Sequence, residues 1–262
     1  MTEAELDTPI AILDADAFER NLARLAQFAK HRGVRLRPHA KSHKCSAIAR
    51  LQLQQGAVGV CCQSVGEAVA MVQGGVPDVL ITNMVVNPGK LRQIGDLART
   101  ARVGLCFDDD EQVRRAGEAF SAAGVTVDAY VEVEVGGQRS GVQSPDQAVA
   151  LARAIAQEPS LGLAGLQAYH GKAQHMRSKA ERQAAARQAG DIAQTARAAL
   201  AAAGFPCGCI TGAGTGSFAA DAEAGVLDEL QCGSYVFMDR DYGVNEPDDP
   251  AFEQSLHIAT TV

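Results

Sequence analysis

Residues 34–44 read VRLRPHAKSHK, and the alternation inside them decides how the rest of the chain is read. In an extended conformation Val34, Leu36, Pro38 and Ala40 share one face, while Arg35, Arg37, His39 and Lys41 share the other. In a sheet covered by helices the apolar face meets the helices, which turns the basic face towards the interior. Charges in a low-dielectric interior need partners. The same period of two puts Asp128, Glu132 and Glu134 on one face of a later strand, and these acids are expected to neutralise Arg35 and Arg37. A solvated edge strand would show the same alternation, so this segment alone leaves both readings open.

Outward from this segment, short β-branched runs alternate with longer stretches whose apolar residues recur at three- and four-residue spacing. The expected strands are 34–40, 58–62, 79–83, 103–107, 127–135, 163–169, 207–211 and 230–238. The expected helices are 17–32, 46–55, 65–73, 91–99, 110–123, 146–157 and 178–203. Eight strands alternating with helical segments in 262 residues predict an α/β (β/α)8 TIM barrel. An open doubly wound sheet is the alternative. Residues 256–262 (LHIATTV) have strand propensity, and the strand is expected to continue or to pair beyond the chain.

The composition is that of a globular protein: 47% hydrophobic and 21% charged. Lys and Arg number 24 against 31 Asp and Glu, a net charge of −7, and there is no Trp. An acidic chain poor in aromatics argues against a nucleic-acid binder. The first twenty residues carry acids where an export signal carries Lys or Arg, and no run is apolar enough to span a membrane. A cytoplasmic protein is expected. Its seven cysteines read as reduced thiols: Cys61-Cys62 and Cys207-x-Cys209 lack the paired CxxC spacing of a structural zinc site.

Lys41 closes its strand at the carboxyl end, where such barrels place their active sites. A lysine in a partly desolvated pocket beside other cations shifts towards its neutral, nucleophilic form. His39 and His43 flank it as metal ligands or as hydrogen-bonding neighbours. Residues 212–217 (GAGTGS) follow the seventh strand, and a glycine turn opening a helix offers backbone N–H groups to an anion. Gly233, Ser234 and Tyr235 follow the eighth strand. The GGQRSG turn carries Arg139 over the barrel mouth, and residues 166–175 (LQAYHGKAQH) bring Gln167, Tyr169 and His170. There is no GxSxG elbow.

In combination, RPHAKSHK, GVCCQSVGEA, GGQRSG, LQAYHGKAQHM, GAGTGSF and DELQCGSYVFMDRDYG resemble the D-threonine aldolase and D-serine dehydratase-like family. The likeness runs over residues 8–262 and is strongest to the D-threonine and D-3-hydroxyaspartate aldolase branch. The resemblance implies a pyridoxal-phosphate (PLP) enzyme of the alanine-racemase barrel type, fold type III, with Lys41 carrying the cofactor. By the same implication, Gly214, Thr215, Gly216, Gly233, Ser234 and Tyr235 hold the phosphate. Arg139, Tyr169 and Gln63 contact the ring or its substituents.

The implied activity is retro-aldol cleavage of a D-β-hydroxy-amino acid to glycine and an aldehyde. Dehydration of such an acid, or a non-catalytic PLP-binding barrel, are the alternatives. The family implies a homodimer and a divalent metal (Mg, Mn or Zn) held by a β-rich C-terminal domain. Residues 1–250 are expected to form the barrel and 251–262 the first strand of that further domain, with no metal ligands within the chain.

Overall fold

The computed structural model describes residues 7–261, and the readings of residues 1–6 and of Val262 fall outside that range. Strand β1 (Ile10–Leu13) is followed by α1 (Ala15–Arg32), β2 (Arg35–Leu36), α2 (Ser46–Gln54), β3 (Val60–Cys62) and α3 (Val65–Gln73). Next come β4 (Asp78–Ile81), α4 (Pro88–Leu97), β5 (Arg102–Phe107), α5 (Asp110–Ala123), β6 (Val127–Glu132) and α6 (Pro145–Gln157). The chain ends through β7 (Leu161–Ala168), α7 (Lys179–Ala202), β8 (Ile210–Gly212), α8 (Phe218–Ala224), β9 (Glu229–Leu230), α9 (Arg240–Gly243) and β10 (Leu256–Ala259). No helix among the described residues is long and apolar enough to cross a membrane.

Strands β2 to β9 form one parallel sheet in the order β2-β9-β8-β7-β6-β5-β4-β3. The seam between β2 and β3 closes it into a barrel. Residues 35, 37 and 39 donate their amides to the β9 side, while Leu36 and Pro38 accept from Val58 N–H and Cys61 N–H, both at 2.8 Å. Pro38 faces β3 and has no N–H to return. The contact there is a single bridge, His39 to Cys61, and not a ladder.

Helix limits follow local chemistry. Asp14 caps α1 by accepting from Ala17 N–H at 2.9 Å, and Gly33 ends it at φ 69°. Pro88 and Pro145 open α4 and α6. The strands are shorter than their sequence patterns, because β2 gives way to a 3₁₀ turn over Ala40–Ser42 and β9 to another over Ser234–Val236. The final strand finds its partner inside the chain. β10 pairs antiparallel with β1, Ile10 opposite Ala259 and Leu13 opposite Leu256.

The basic face of 34–41 does turn inward, but its partners are not the ones expected. Arg37 is buried and bonds Glu229 through Nε at 2.9 Å and Asp78 through Nη1 at 2.5 Å. Arg35 meets Glu229 at 3.3 Å, and Arg102 bridges Asp128 at 2.6 Å and Asp78 at 3.7 Å. Arginines and acids thus alternate across the amino-terminal end of the barrel and cancel. Glu132 and Glu134 lie at the opposite end, on the loop side of β6. β2 is hydrogen-bonded to β9 and β3, so the acids that reach Arg37 come from β9 and β4 and not from β6.

Above this ionic floor Cys61, Leu80, Cys106 and Tyr130 form a separate apolar layer. They come from strand positions two residues below the polar mouth, as layered filling of a barrel requires. The main core lies between sheet and helices and includes Cys62, the outward neighbour of Cys61. All seven cysteines are free.

The floor sets a stability prediction. Arg37→Leu leaves Glu229 short of its buried partner and lowers the unfolding free energy by about 3–5 kcal/mol. Arg102→Ala, at an exposed arginine, costs under about 1 kcal/mol. Urea denaturation of both variants checks this, and equal losses would contradict it.

Candidate active site

Lys41 sits on the 3₁₀ turn that ends the β2 segment, and that turn is capped by an imidazole. His39 Nδ1 accepts from Lys41 N–H at 3.3 Å, so its other nitrogen carries the proton and donates to Thr82 Oγ1 at 3.0 Å. The Thr82 hydroxyl in turn donates to the Cys62 carbonyl at 3.4 Å. Burial, with Lys41 close by, holds His39 well below the usual histidine pKa. His43 caps the other side of the turn by accepting from Cys45 N–H at 3.1 Å, and burial brings it down to about 4. Both histidines are therefore neutral supports of the lysine turn.

The Lys41 amine is mostly buried. Desolvation first, and the Arg139 cation second, push its pKa below the ordinary lysine value. Its Nζ lies 5.6 Å from the centroid of the Tyr169 ring, and Arg139 Cζ lies at the same distance from that ring. Lys41, Gln63, Arg139 and Tyr169 share one cavity of about 150 Å³. Its floor is a reciprocal amide pair: Gln167 Nε2 donates to Gln231 Oε1 at 2.9 Å, and Gln231 Nε2 returns a bond to Gln167 Oε1 at 2.7 Å. Gln63 is anchored through its backbone, whose N–H donates to Glu67 at 2.7 Å.

The glycine turn after β8 packs against the lysine turn through β9. A Cβ on Gly233 would stand 2.6 Å from Ser42 Oγ and 2.8 Å from the His39 carbonyl. Only glycine allows the two turns to approach that closely. Tyr235 N–H then donates to Thr215 Oγ1 at 3.0 Å. A Cβ on Gly216 would lie 2.2 Å from the Gln174 carbonyl, and Gly216 N–H already donates to Gln174 Oε1 at 2.9 Å. Among the described residues the amides of Gly214, Thr215, Gly233 and Ser234 have no protein acceptor.

Thr215 and Gly216 line a second cleft, of about 240 Å³, which Tyr242 also lines. Tyr242 stands beside Tyr169 and Ser234 at the wall between the two spaces. Gly214, Gly233, Ser234 and Tyr235 line neither cavity. The Tyr235 ring is buried, with its hydroxyl bonded by Gln52 at 3.1 Å, so it offers a ligand only its backbone.

Arg139 rides on a turn whose backbone is held by carboxylates. Glu134 accepts from Gly136 N–H and from Arg139 N–H, the latter at 3.2 Å, and Asp108 accepts from Gly141 N–H at 3.0 Å. Burial opposes ionisation of Glu134, yet the turn amides keep its pKa below the usual value.

Sequence patterning did not single out Thr82, Gln231 or Gln174 as parts of the site. The first two were within reach, because carrying the parity of Arg37, His39 and Lys41 around the sheet turns residues 82 and 231 inward. Gln174 had no such signal, since it lies in a 3₁₀ turn (Gly171–His175) with no strand parity.

Residues 13–241 match the family described as alanine racemase, N-terminal domain. The chain is 47% identical over 260 residues to a D-threonine aldolase of Arthrobacter sp, covering 99% of this chain and 69% of that protein. It is 41% identical over 272 residues to a 3-hydroxy-D-aspartate aldolase of Paracoccus denitrificans (strain Pd 1222), covering 100% of this chain and 70% of the relative. The crystal structure of D-threonine aldolase from Filomicrobium marinum superposes with a TM-score of 0.95 at 53% identity, over 98% of this chain and 69% of that one. The chain belongs to the alanine racemase N-terminal domain family and, within it, to the group that contains these aldolases.

Proposed function

We propose that the cavity takes pyridoxal 5'-phosphate on Lys41, and that the protein cleaves a D-β-hydroxy-amino acid, D-threonine or D-3-hydroxyaspartate, to glycine and an aldehyde. The observation that carries this reading is a lysine depressed towards its neutral form at the mouth of a closed barrel, with no carboxylate paired to it among the described residues and a turn of amides without protein acceptors beside it. The residues fit the group. An amine shifted towards neutral suits a carbonyl carbon, N–H donors without a protein acceptor suit a phosphate, and the Arg139 cation at the rim suits an anion.

Bound pyridoxal phosphate supplies an electron sink for the pair left on Cα as the Cα–Cβ bond breaks. The chain's own residues do the rest. Gly214, Thr215, Gly216, Gly233, Ser234 and Tyr235 offer backbone N–H or hydroxyl groups to the phosphate, Gly216 and Tyr235 by giving up their present bonds to Gln174 and Thr215. Arg139 keeps Lys41 discharged and faces the ring's polar substituents together with Tyr169 and Gln63.

Cleavage needs a base for the β-hydroxyl proton. His175 pairs with Asp241 through Nδ1 at 2.5 Å but lines neither cavity, so the role is not assigned to it. Among the described residues no three His, Cys, Asp or Glu gather, so no step is assigned to a metal. In the same reading residues 251–262, whose strand β10 pairs with β1 outside the barrel sheet, are the first strand of a β-rich domain. The enzyme works in the cytoplasm as a homodimer, and the free thiols suit that compartment.

Two measurements test this. Borohydride reduction of the protein with pyridoxal phosphate fixes the cofactor on Lys41, as read by peptide mass spectrometry, and Lys41→Ala abolishes both labelling and activity. D-threonine then yields glycine and acetaldehyde in equimolar amounts; keto acid and ammonia would mean dehydration instead, and a protein that takes up no cofactor would refute the proposal. Without cofactor, amine-directed reagents modify Lys41 below the pH range in which an ordinary lysine reacts. Arg139→Gln moves that reactivity to higher pH.

A further inference from the structure

At the end of β6 the Glu132 side chain is only 4% exposed. Its Oε1 accepts from Ser140 Oγ at 3.3 Å, while Oε2 is buried without a partner among the described residues. An unpaired carboxylate oxygen inside a barrel is expensive unless something is meant to reach it. The nearest cation is Arg139, with Nη2 3.9 Å from Oε1. Arg139 itself is 62% exposed, and among the described residues Glu132 is the only carboxylate near its guanidinium. The backbone of the Arg139 turn is tied down by Glu134 at Arg139 and Asp108 at Gly141, but the head group that faces Tyr169 has one anchor.

We propose that Glu132 is a positioning residue: as a carboxylate it holds the Arg139 guanidinium over Tyr169 at the cofactor cavity, and on protonation it releases it. This rests on the cavity being the pyridoxal-phosphate site. The other groups facing Glu132 are Cys106 and Asp108 from β5 and its loop, Ser140 on the turn, and Gln167, its register partner on β7. Tyr169, Glu134 and Lys172 line the space on its outer side. Burial pushes Glu132 up to about 7, with Arg139 and Ser140 pulling the other way, so the switch falls near neutral pH. The sign follows directly. Above about pH 7 the carboxylate is charged and Arg139 is held; below it the anchor is lost.

The test is a pH titration of cofactor binding and of the visible absorbance of the loaded protein. In the unaltered chain, binding weakens as pH falls through about 7. Glu132→Gln removes that inflection and weakens binding about tenfold at pH 8. In an Arg139→Gln background the same substitution adds nothing further, because the two act as one unit. Independent, additive losses, or an unchanged pH profile in Glu132→Gln, would overturn the proposal.

Should Glu132→Gln not fold, Ser140→Ala replaces it. Loss of the hydroxyl that favours the carboxylate moves the inflection to higher pH, and an unmoved inflection counts against the proposal. Carbon-13 titration of the Glu132 carboxyl without cofactor separates this from the underlying reading. Arg139→Gln raises the Glu132 midpoint whether or not Lys41 takes pyridoxal phosphate, whereas failure of borohydride labelling alone refutes only the cofactor assignment.

Discussion

A lysine stays reactive at neutral pH only while no anion pairs with it, and the charge arrangement of this barrel follows from that constraint. The acid nearest the lysine turn is Glu67, and it is already engaged by Lys44 Nζ at 2.9 Å and by the backbone N–H of Gln63. Asp78 and Glu229 are spent on Arg37 in the floor, beneath the apolar layer of Cys61, Leu80, Cys106 and Tyr130. Glu134 is committed to the amides of the arginine turn. The mouth is left with the Arg139 cation beside a Lys41 amine shifted towards neutral, both over one tyrosine ring, and a cation in a half-buried space favours an anionic guest.

The lysine turn and the glycine turn behave mechanically as one piece. Gly233 lets the segment after β9 lie against His39 and Ser42, Tyr235 N–H is bonded to Thr215, and Gln52 on α2 holds the Tyr235 hydroxyl. An amine and a set of amide donors from opposite ends of the sequence are therefore placed by short, direct contacts. Sites built on such rigid junctions keep their geometry better than sites on free loops. The reciprocal Gln167–Gln231 pair adds a floor with both amides satisfied and no charge, so it does not compete for the anion.

Much of this was legible in the sequence, because strand parity is a local property. The alternation of 34–41 put Arg37, His39 and Lys41 on one face, which the barrel turns inward, and the helix limits of α3 and α5 match their apolar spacing to the residue. Pairing is not local. That Arg37 meets Glu229 and Asp78 instead of the acids of β6 depends on which strands close the barrel, and parity carries no information about that. Strand β1 was missed for the same reason: four residues, Ile10–Leu13, gain strand structure only from a partner nearly 250 residues away. The shortening of β2 and β9 reflects Pro38 and the two 3₁₀ turns, whose signal lies in single residues and not in a period.

Burial also compensates itself around the site. Glu132 rises to about 7 and Asp221, behind the glycine turn, to about 6, so the folded state binds protons there more tightly than an unfolded chain would. Both contribute stability as pH falls from their folded values towards the ordinary carboxylate range. His43, brought down to about 4, acts with the opposite sign, since the unfolded chain binds its proton first and stability is lost as pH falls from about 6.5 to 4. His39 shifts in the same direction as His43. Acids and imidazoles buried in their neutral forms thus offset one another across the same window. The opposed signs blunt the response of the fold to pH in that window while the protonation of its site changes, which is the condition under which a titrating carboxyl can act on the ligand more than on the fold.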